Sequence, residues 1–327
     1  MKECLKNILI IGTGGTIAGT GTTGITCHYE PGKLKLNNLI DKIPDIKSLA
    51  NINYIDMFNI DSCDMSFEKI SQISKYINNN IDKYDGFVVT HGTDTLEETA
   101  YFLNLVIKTE KPVVLTGAMR PSTSLSNDGC LNLYQAVALA SHEESKSKGV
   151  LIAFGDSIYS ARDVQKTSTY KTNAFNQKDL GCLGFIRDNK IYFYNISNKI
   201  HTVNTEFDIN NIQKFPKVEI VYFYMNSDIK ILKFIAQNSD GIIISCAGCG
   251  TVSTDWFEEI KNLVFEKNKI IVFSSKINNG LVNINKKFEN NIICANNLST
   301  EKSRILLTLA LTKTHDISKI QEFFDKY

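Results

Sequence analysis

The chain has 327 residues, of which 43% are hydrophobic and 22% are charged. This composition is typical of a folded globular protein and excludes a mainly disordered chain. Lys and Arg together number 36 and Asp and Glu 35, so the chain lacks the overall basic field that attracts phosphate backbones or anionic lipid. We therefore expect no nucleic-acid partner.

The first apolar run, residues 8–11, is ended by Gly12 and is too short for the hydrophobic region of a signal peptide. No later stretch approaches the roughly 18 uninterrupted apolar residues of a membrane span. The sequence therefore predicts a cytoplasmic protein that does not associate with a membrane.

Short β-branched runs alternate with helical patterns along most of the chain. Predicted strands occupy residues 7–11, 86–90, 112–116 and 149–154, and predicted helices occupy 66–79 and 131–140. Such alternation is typical of an α/β fold with a parallel sheet. Length also favours more than one domain, and a domain boundary is expected where the alternation stops.

Polar residues replace the alternating pattern between about 195 and 216. We predict a larger N-terminal catalytic α/β domain at 1–200, a linker at 201–216 and a smaller C-terminal α/β domain at 217–327. In the last of these the predicted strands are 218–224, 241–245 and 269–274, with helices near 228–237 and 255–265 and two more at the C-terminus.

Eight cysteines lie at positions 4, 27, 63, 130, 182, 246, 249 and 294. A chain of this length does not need disulfides to supplement its core, so we expect free thiols. Cys246 and Cys249 have the spacing of a metal or redox pair, but no second pair and no histidine lie nearby. We interpret both as small core residues, and we expect neither a metal nor a cofactor.

Ligands of a parallel α/β sheet bind beyond the carboxyl ends of the strands. The loop after the first predicted strand is rich in glycine and contains Thr13 and Thr16. It does not match the dinucleotide fingerprint, because Ile17 occupies the place of the third glycine, and it is not a P-loop, because Thr20 replaces the required lysine. Its distinctive groups are hydroxyls.

The loop after the predicted strand 86–90 contains His91, Thr93 and Asp94. Thr93 or Asp94 alone would serve as a helix N-cap. A histidine, several threonines and an aspartate at one strand end favour a functional site over capping. We interpret His91 itself as structural, hydrogen-bonded to the backbone beside a glycine turn.

Here the sequence resembles the bacterial-type L-asparaginase family. Two segments carry most of the resemblance: 13–19 (TGGTIAG) and 85–95 (DGFVVTHGTDT). Similarity continues through 117–121, 126–129, 162–166, 240–241 and 274–275, and so covers essentially the whole chain. Segments 95–102 and 118–124 are closer to the periplasmic branch of the family, although no signal peptide is evident.

The resemblance assigns roles to individual residues. The implied catalytic residues are the nucleophile Thr16, Tyr29 beside it, and a second cluster of Thr93, Asp94 and Lys166. The implied substrate-binding residues are Ser62, Cys63, Thr93, Asp94, Ala118 and Thr251. Two positions depart from the family: Cys63 replaces a glutamine that is common in periplasmic members, and Lys287 replaces a glutamate that some members contribute from a neighbouring subunit.

The family also implies the assembly. In it, two subunits pack so that the C-terminal domain of one closes the N-terminal site of the other, and this pair commonly doubles into a homotetramer. Thr251 occupies the position that reaches across. Without the resemblance, Tyr29 is equally readable as a surface aromatic and Ser62 as a turn residue. The motif around Thr16 disfavours its interpretation as a helix cap, and the motif around Lys166 disfavours less strongly its interpretation as a solvated charge.

We therefore predict an L-asparaginase that converts L-asparagine to L-aspartate and ammonia through a threonine nucleophile. The alternatives are a dual glutaminase-asparaginase, a protein resembling the glutaminase-like subunit of the archaeal-type amidotransferase that acts on misacylated tRNA, or a nucleotide- or anion-binding module built on the glycine loop.

Overall fold

The computed structural model describes residues 5–21, 29–30, 32–177, 179–282 and 291–327, with Tyr29 described by its backbone alone. These residues form two compact units, an N-terminal unit, Met1–Ile209, and a C-terminal unit, Asn210–Tyr327. Their boundary falls inside the segment 201–216. No helix in the described ranges combines the length and apolar character that a membrane crossing requires.

The N-terminal unit contains twelve strands among its described residues: β1 Asn7–Gly14, β2 Thr20–Gly21, β3 Tyr29–Glu30, β4 Asn51–Ile60, β5 Gly86–Thr90, β6 Val113–Thr116, β7 Val150–Phe154, β8 Ser157–Ser160, β9 Val164–Lys166, β10 Phe175–Gln177, β11 Gly184–Arg187 and β12 Lys190–Phe193. Its described helices are α1 Leu36–Ile40, α2 Ile46–Leu49, α3 Phe67–Asn78, α4 Leu96–Val106 and α5 Gly129–Ser141.

Eight of these strands form one sheet in the order β12-β11-β8-β7-β6-β5-β1-β4. The five strands from β7 to β4 are parallel to one another, as the sequence pattern predicts. The remaining three strands each pair antiparallel with the preceding neighbour: β8 with β7, β11 with β8 and β12 with β11. Gly155 and Asp156, between β7 and β8, both have positive φ, as a two-residue type I′ hairpin turn requires. The sheet is therefore parallel-dominated rather than wholly parallel.

Burial explains which strands the sequence reveals. Strands β5, β6 and β7 are buried at every residue, and β1 is exposed only at its first residue, so they read as short apolar runs. One face of the sheet packs against α1, α2 and α5 through a cluster that includes Ile10, Leu39 and Val137. Strand β4 is the sheet edge and is not buried at any residue, which is why no apolar run marks it.

The segment after β12 is anchored to the N-terminal unit by a lysine. Lys108 Nζ donates at 2.7 Å to both the carbonyl and the hydroxyl oxygen of Thr205. The Thr205 hydroxyl in turn donates to the Leu105 carbonyl at 2.6 Å, near the end of α4. The first half of the polar segment 201–216 is therefore packed onto α4.

The C-terminal unit is a second, smaller α/β unit. Its described elements are β13 Val218–Tyr222, α6 Ile229–Gln237, β14 Gly241–Cys246, α7 Thr254–Phe265, β15 Ile270–Ser275, β16 Ile293–Cys294, α8 Thr300–Leu311 and α9 Ile317–Lys326. The four strands are parallel in the order β13-β14-β15-β16. Its core includes Trp256, whose indole N–H donates to the Ser227 carbonyl at 3.2 Å.

The six described cysteines are free thiols. Cys246 is buried in β14, where burial raises the pKa of its thiol. Cys249 is exposed, and its Sγ lies 3.0 Å from the Leu281 carbonyl oxygen. The prediction that both are core residues is therefore wrong for Cys249, because the chain turns outward at Gly248, where φ is positive.

Candidate active site

The strand order of the large sheet reverses at β1. The chain passes from β1 to its neighbour β4 on one side, and β5, β6 and β7 then follow on the other side. In open parallel sheets, ligands bind outside the carboxyl ends of the strands at this switch point. The loops after β1, β4 and β5 contain Thr16, Ser62 and Thr93, so the fold directs these residues to one edge of the sheet.

The loops after β1 and β5 touch at two glycines. A Cβ placed on Gly15 would lie 3.0 Å from the His91 carbonyl carbon and closer still to the Gly92 backbone. Gly15 also has φ 75 and ψ −172, a region essentially confined to glycine. Thr16 and Thr93 are the next residues after these glycines, so each belongs to one of the two loops that touch.

Further bonds fix the loop after β1. The Thr13 hydroxyl donates to the Thr90 carbonyl at 2.9 Å, which ties the ends of β1 and β5 together. The Gly15 N–H donates to the Ile60 carbonyl at 2.9 Å at the end of β4. Thr16 then opens a short 3-10 helix and is 8% exposed. Its N-cap is Gly15, so Thr16 is not the cap residue.

Ser62 and Cys63 begin a 3-10 helix after β4. The Asp61 carboxylate caps this helix by accepting the Cys63 N–H at 2.9 Å. Ser62 is buried, and a Cβ on Gly92 would come within 2.7 Å of its hydroxyl. Cys63 is exposed, and desolvation, followed by its bond to Asp61, raises the pKa of its thiol.

Lys166 joins the predicted second cluster. It is the last residue of β9, and its Nζ donates to the Thr93 hydroxyl at 2.9 Å and to Asp94 Oδ1 at 2.6 Å. Its side chain is 17% exposed and that of Asp94 58%. Because the Thr93 oxygen accepts from the ammonium, the hydroxyl hydrogen of Thr93 remains free to donate to another group.

Helix α4 begins at Leu96 and its N-cap is Thr95. The alternative interpretation of Thr93 or Asp94 as the cap residue is therefore excluded. The Thr95 hydroxyl donates instead to the Ser62 carbonyl at 2.7 Å. Thr93 and Asp94 therefore lie in the loop before the helix, where their side chains meet Lys166.

His91 is completely buried behind this loop. Its Nδ1 lies 2.7 Å from the Gly92 carbonyl oxygen and its Nε2 lies 3.0 Å from the Thr99 hydroxyl. A carbonyl oxygen only accepts, so Nδ1 carries the proton and Nε2 accepts from Thr99. Burial lowers the pKa of the imidazole to about 4. His91 therefore holds the backbone as a neutral group, as predicted.

Ala118 follows the carboxyl end of β6 and is completely buried. The loop around it is organised by Asp128, whose carboxylate accepts the N–H groups of Met119 and Arg120 at 2.9 Å each. Burial is the main influence on the Asp128 carboxyl and raises its pKa. The sequence identified this segment only through the family resemblance and gave Asp128 no role.

Two carboxylates and a thiol meet at one corner of the site. A carboxylate oxygen of Asp61, a carboxylate oxygen of Asp94 and the Sγ of Cys63 all lie within 4.8 Å of one another. Cys63 and Asp94 are exposed and Asp61 is half-buried. Two carboxylates this close at a partly exposed edge attract a positively charged group.

The remaining predicted residues lie elsewhere. The side chain of Tyr29 and the whole of Lys287 are outside the described residues. Thr251 belongs to the C-terminal unit, where its backbone and that of Ala247 exchange hydrogen bonds of 2.8 and 2.9 Å. Gly248 and Gly250 both have positive φ, so Thr251 closes a tight turn before α7.

Comparison with known proteins agrees with this architecture. Residues 7–199 match the family model described as asparaginase, N-terminal, and residues 217–324 match the glutaminase/asparaginase C-terminal domain. L-asparaginase 2 of Bacillus subtilis is 41% identical, over 100% of this chain and 88% of that protein. The glutaminase-asparaginase of Acinetobacter glutaminasificans is also 41% identical, over 98% and 100%.

A crystal structure of a probable cytoplasmic L-asparaginase from Campylobacter jejuni superposes with a TM-score of 0.95 at 44% identity, covering 98% of this chain and 100% of that one. Both family models match in order, the relatives are similar over nearly their full lengths, and the fold is shared. The chain therefore belongs to the asparaginase family.

Proposed function

We propose that this protein is an L-asparaginase that hydrolyses the side-chain amide of L-asparagine through Thr16. The observation that supports the proposal is the contact of Gly15 with Gly92, because Thr16 and Thr93 are the next residues in the two loops and Lys166 donates to Thr93. Two relatives named L-asparaginase 2 are 41% and 39% identical to this chain over 100% and 99% of its length.

In the first step, the Thr16 hydroxyl oxygen attacks the side-chain amide carbon of asparagine. The carbon–nitrogen bond breaks, an ester forms with Thr16, and the hydroxyl proton is transferred to the departing nitrogen, which leaves as ammonia. A threonine hydroxyl needs an activating neighbour for this attack, and Tyr29 is the proposed one from the family resemblance.

The second step returns Thr16 to its original state. Water attacks the ester carbonyl, its proton returns to the Thr16 oxygen, and aspartate is released. Thr93 is suited to orient this water, because its hydroxyl oxygen accepts from Lys166 and its hydrogen is left for a second partner. Asp94 bonds the same ammonium and holds it against Thr93.

Both steps place negative charge on the amide oxygen, which requires fixed donors. The Thr93 N–H belongs to the same planar peptide as the Gly92 carbonyl and points the opposite way. Since His91 fixes that carbonyl, it also fixes the direction of the Thr93 N–H. We assign this N–H to the oxyanion, since no hydrogen-bond partner is found for it among the described residues.

The substrate's charged end is proposed to lie at the corner formed by Asp61, Cys63 and Asp94. The carboxylate of Asp94 would hold the α-ammonium group, and Ser62 would contact the α-carboxylate. Ala118 is proposed to line the pocket at the end of β6. The two carboxylates favour a positively charged group, and Ser62, which lies between Asp61 and Cys63 in the chain, has a hydroxyl that can donate to a carboxylate.

A dual glutaminase-asparaginase is the second candidate. The Acinetobacter glutaminasificans and Pseudomonas fluorescens relatives with that name are 41% and 39% identical to this chain. One methylene distinguishes the two substrates, and a pocket discriminates such a difference by only about 1–3 kcal/mol. We therefore expect kcat/KM to be higher for asparagine than for glutamine, with measurable turnover of both.

The proposal includes a homotetramer built from pairs of subunits, with Thr251 of one subunit at the site of its partner. It also places the protein in the cytoplasm, on the similarity to the Campylobacter jejuni protein described as probably cytoplasmic. Analytical ultracentrifugation and cell fractionation test these two points.

The test of the function is ammonia and aspartate release by the purified protein from asparagine and, separately, from glutamine. We expect a higher kcat/KM for asparagine. Thermal shifts with aspartate, ATP and NAD form the second arm, because only a ligand of the native state raises the melting temperature. No release from either amide, with stabilisation by ATP or NAD, would contradict the proposal in favour of a nucleotide-binding module.

A further inference from the structure

We infer that Glu97 is a positioning residue that fixes the backbone of Lys166 and so sets the position of its ammonium group. The inference rests on the proposed function of Lys166. It concerns a buried carboxylate that acts through another residue and does not itself touch the substrate.

Glu97 is the second residue of α4 and is only 8% exposed. Its Oε2 accepts the backbone N–H of Lys166 at 2.7 Å. Glutamate is almost never this deeply buried unless its carboxylate is paired or hydrogen-bonded. The bond to Lys166 therefore accounts for part of what holds this carboxylate inside the protein.

The same short segment holds Lys166 at both ends. Thr93 and Asp94 bind its Nζ, and Glu97, three residues after Asp94, binds its backbone N–H. The ammonium group of a lysine is attached to a flexible four-carbon stem and can reach many positions. Fixing the backbone of Lys166 against α4 reduces the positions that its ammonium can reach.

Strand β9 is short. It has three residues, and its strand pairing in the described part of the chain is with β10, with Lys166 opposite Phe175. Two-stranded sheets are marginally stable on their own. The Glu97 carboxylate binds the Lys166 N–H in the way that the carbonyl of a third strand would, so it anchors β9 to α4.

A favourable interaction with the helix dipole explains an acidic residue in the first turn but not its burial. Helix α3 provides the comparison. Its second residue is Glu68, which is exposed and hydrogen-bonded to its own N-cap Ser66. Glu68 thus has the same helix position and charge as Glu97 without a role at Lys166.

Two conservative variants separate the effect of side-chain length at Glu97 from the effect of its charge. Glu97→Asp keeps the charge but shortens the side chain by one methylene, so it withdraws the acceptor from Lys166. Glu97→Gln keeps the length and an acceptor oxygen but removes the charge. Glu68→Asp is the matched control for shortening an acidic residue at this helix position.

Two measurements are made on each variant. The first is kcat and KM for asparagine. The second is the rate at which acetic anhydride labels the Lys166 amine, followed by peptide mass spectrometry, which needs no turnover. The 17% exposed side chain of Lys166 is accessible to a small reagent.

We expect Glu97→Asp to lower kcat by about ten- to a hundredfold with KM changed less than about threefold, because a small misplacement of a reacting group is costly. It should also change the labelling rate of Lys166. Glu97→Gln and Glu68→Asp should stay within about threefold of wild type in kcat and leave the labelling unchanged.

Equal kcat and labelling in Glu97→Asp and wild type would overturn the inference. So would a larger loss in Glu97→Gln than in Glu97→Asp, which would indicate a role for charge, or a loss of kcat with unchanged labelling, which would exclude action through Lys166. If the wild-type protein does not hydrolyse asparagine, the proposed function fails, and the labelling arm still decides whether Glu97 positions Lys166.

Discussion

The contact between Gly15 and Gly92 can be tested by adding a single methyl group. In Gly15→Ala the new Cβ would lie 3.0 Å from the His91 carbonyl carbon and would overlap the Gly92 backbone. The backbone at φ 75 and ψ −172 adds about 1–3 kcal/mol of strain for a residue with a side chain. Overpacking adds about 1–3 kcal/mol more, and separation of the loops should also move Thr16 away from Thr93 and lower activity.

Gly181→Ala is the control. Gly181 has φ +70, and a Cβ there would meet nothing within 4 Å, so the substitution carries only the backbone cost of about 1–2 kcal/mol. Urea denaturation at equal protein concentration compares the two variants, and asparagine turnover is measured on both. Gly15→Ala should have the lower midpoint and much the lower activity. Equal midpoints with wild-type activity in Gly15→Ala would refute the loop contact.

Three further outcomes are expected. Burial lowers the pKa of His91 to about 4, so between pH 6.5 and 4 the unfolded chain binds a proton that the folded chain does not. The free energy of unfolding should therefore fall by on the order of 3 kcal/mol as the pH decreases through this range. The urea midpoint of His91→Gln should lose this part of the pH dependence, and an identical dependence in both proteins would contradict the expectation. Lys166→Met should lower kcat by about 10²–10⁴-fold if Lys166 supports proton transfer, and a value near wild type would remove it from the site. Co-refolding Thr16→Ala with Thr251→Trp should restore part of the activity in mixed dimers, whereas no recovery in demonstrated mixed dimers would show that Thr251 does not act across the interface.

The fold was predictable where the strands are buried. Apolar runs identify β5, β6 and β7 because both faces of these strands are covered. They do not reveal β4, whose edge position exposes its side chains, or the short hairpin of β11 and β12, where exposed and buried residues alternate over four positions. Local turn conformation, such as positive φ at Asp156, decided the direction of β8, and no apolar pattern encodes it.

The site was predictable in part. The ends of the predicted strands indicated the loops of Thr16 and Thr93, because the carboxyl ends of parallel strands lie at one edge of the sheet. Lys166 entered only through the family resemblance, since 72 residues separate it from Asp94 and no local pattern links them. No sequence pattern singled out Glu97, because its bond to Lys166 depends on tertiary packing between residues that are far apart in the chain.

The most direct test of the central claim compares wild type with Thr16→Ala in two measurements. Asparagine turnover is followed by ammonia release, and aspartate binding is followed by calorimetry. Removal of the nucleophile eliminates the covalent route and leaves the binding contacts in place. We expect Thr16→Ala to lose turnover and to bind aspartate with near wild-type affinity. Turnover close to wild type in Thr16→Ala would contradict the role of Thr16 as the nucleophile.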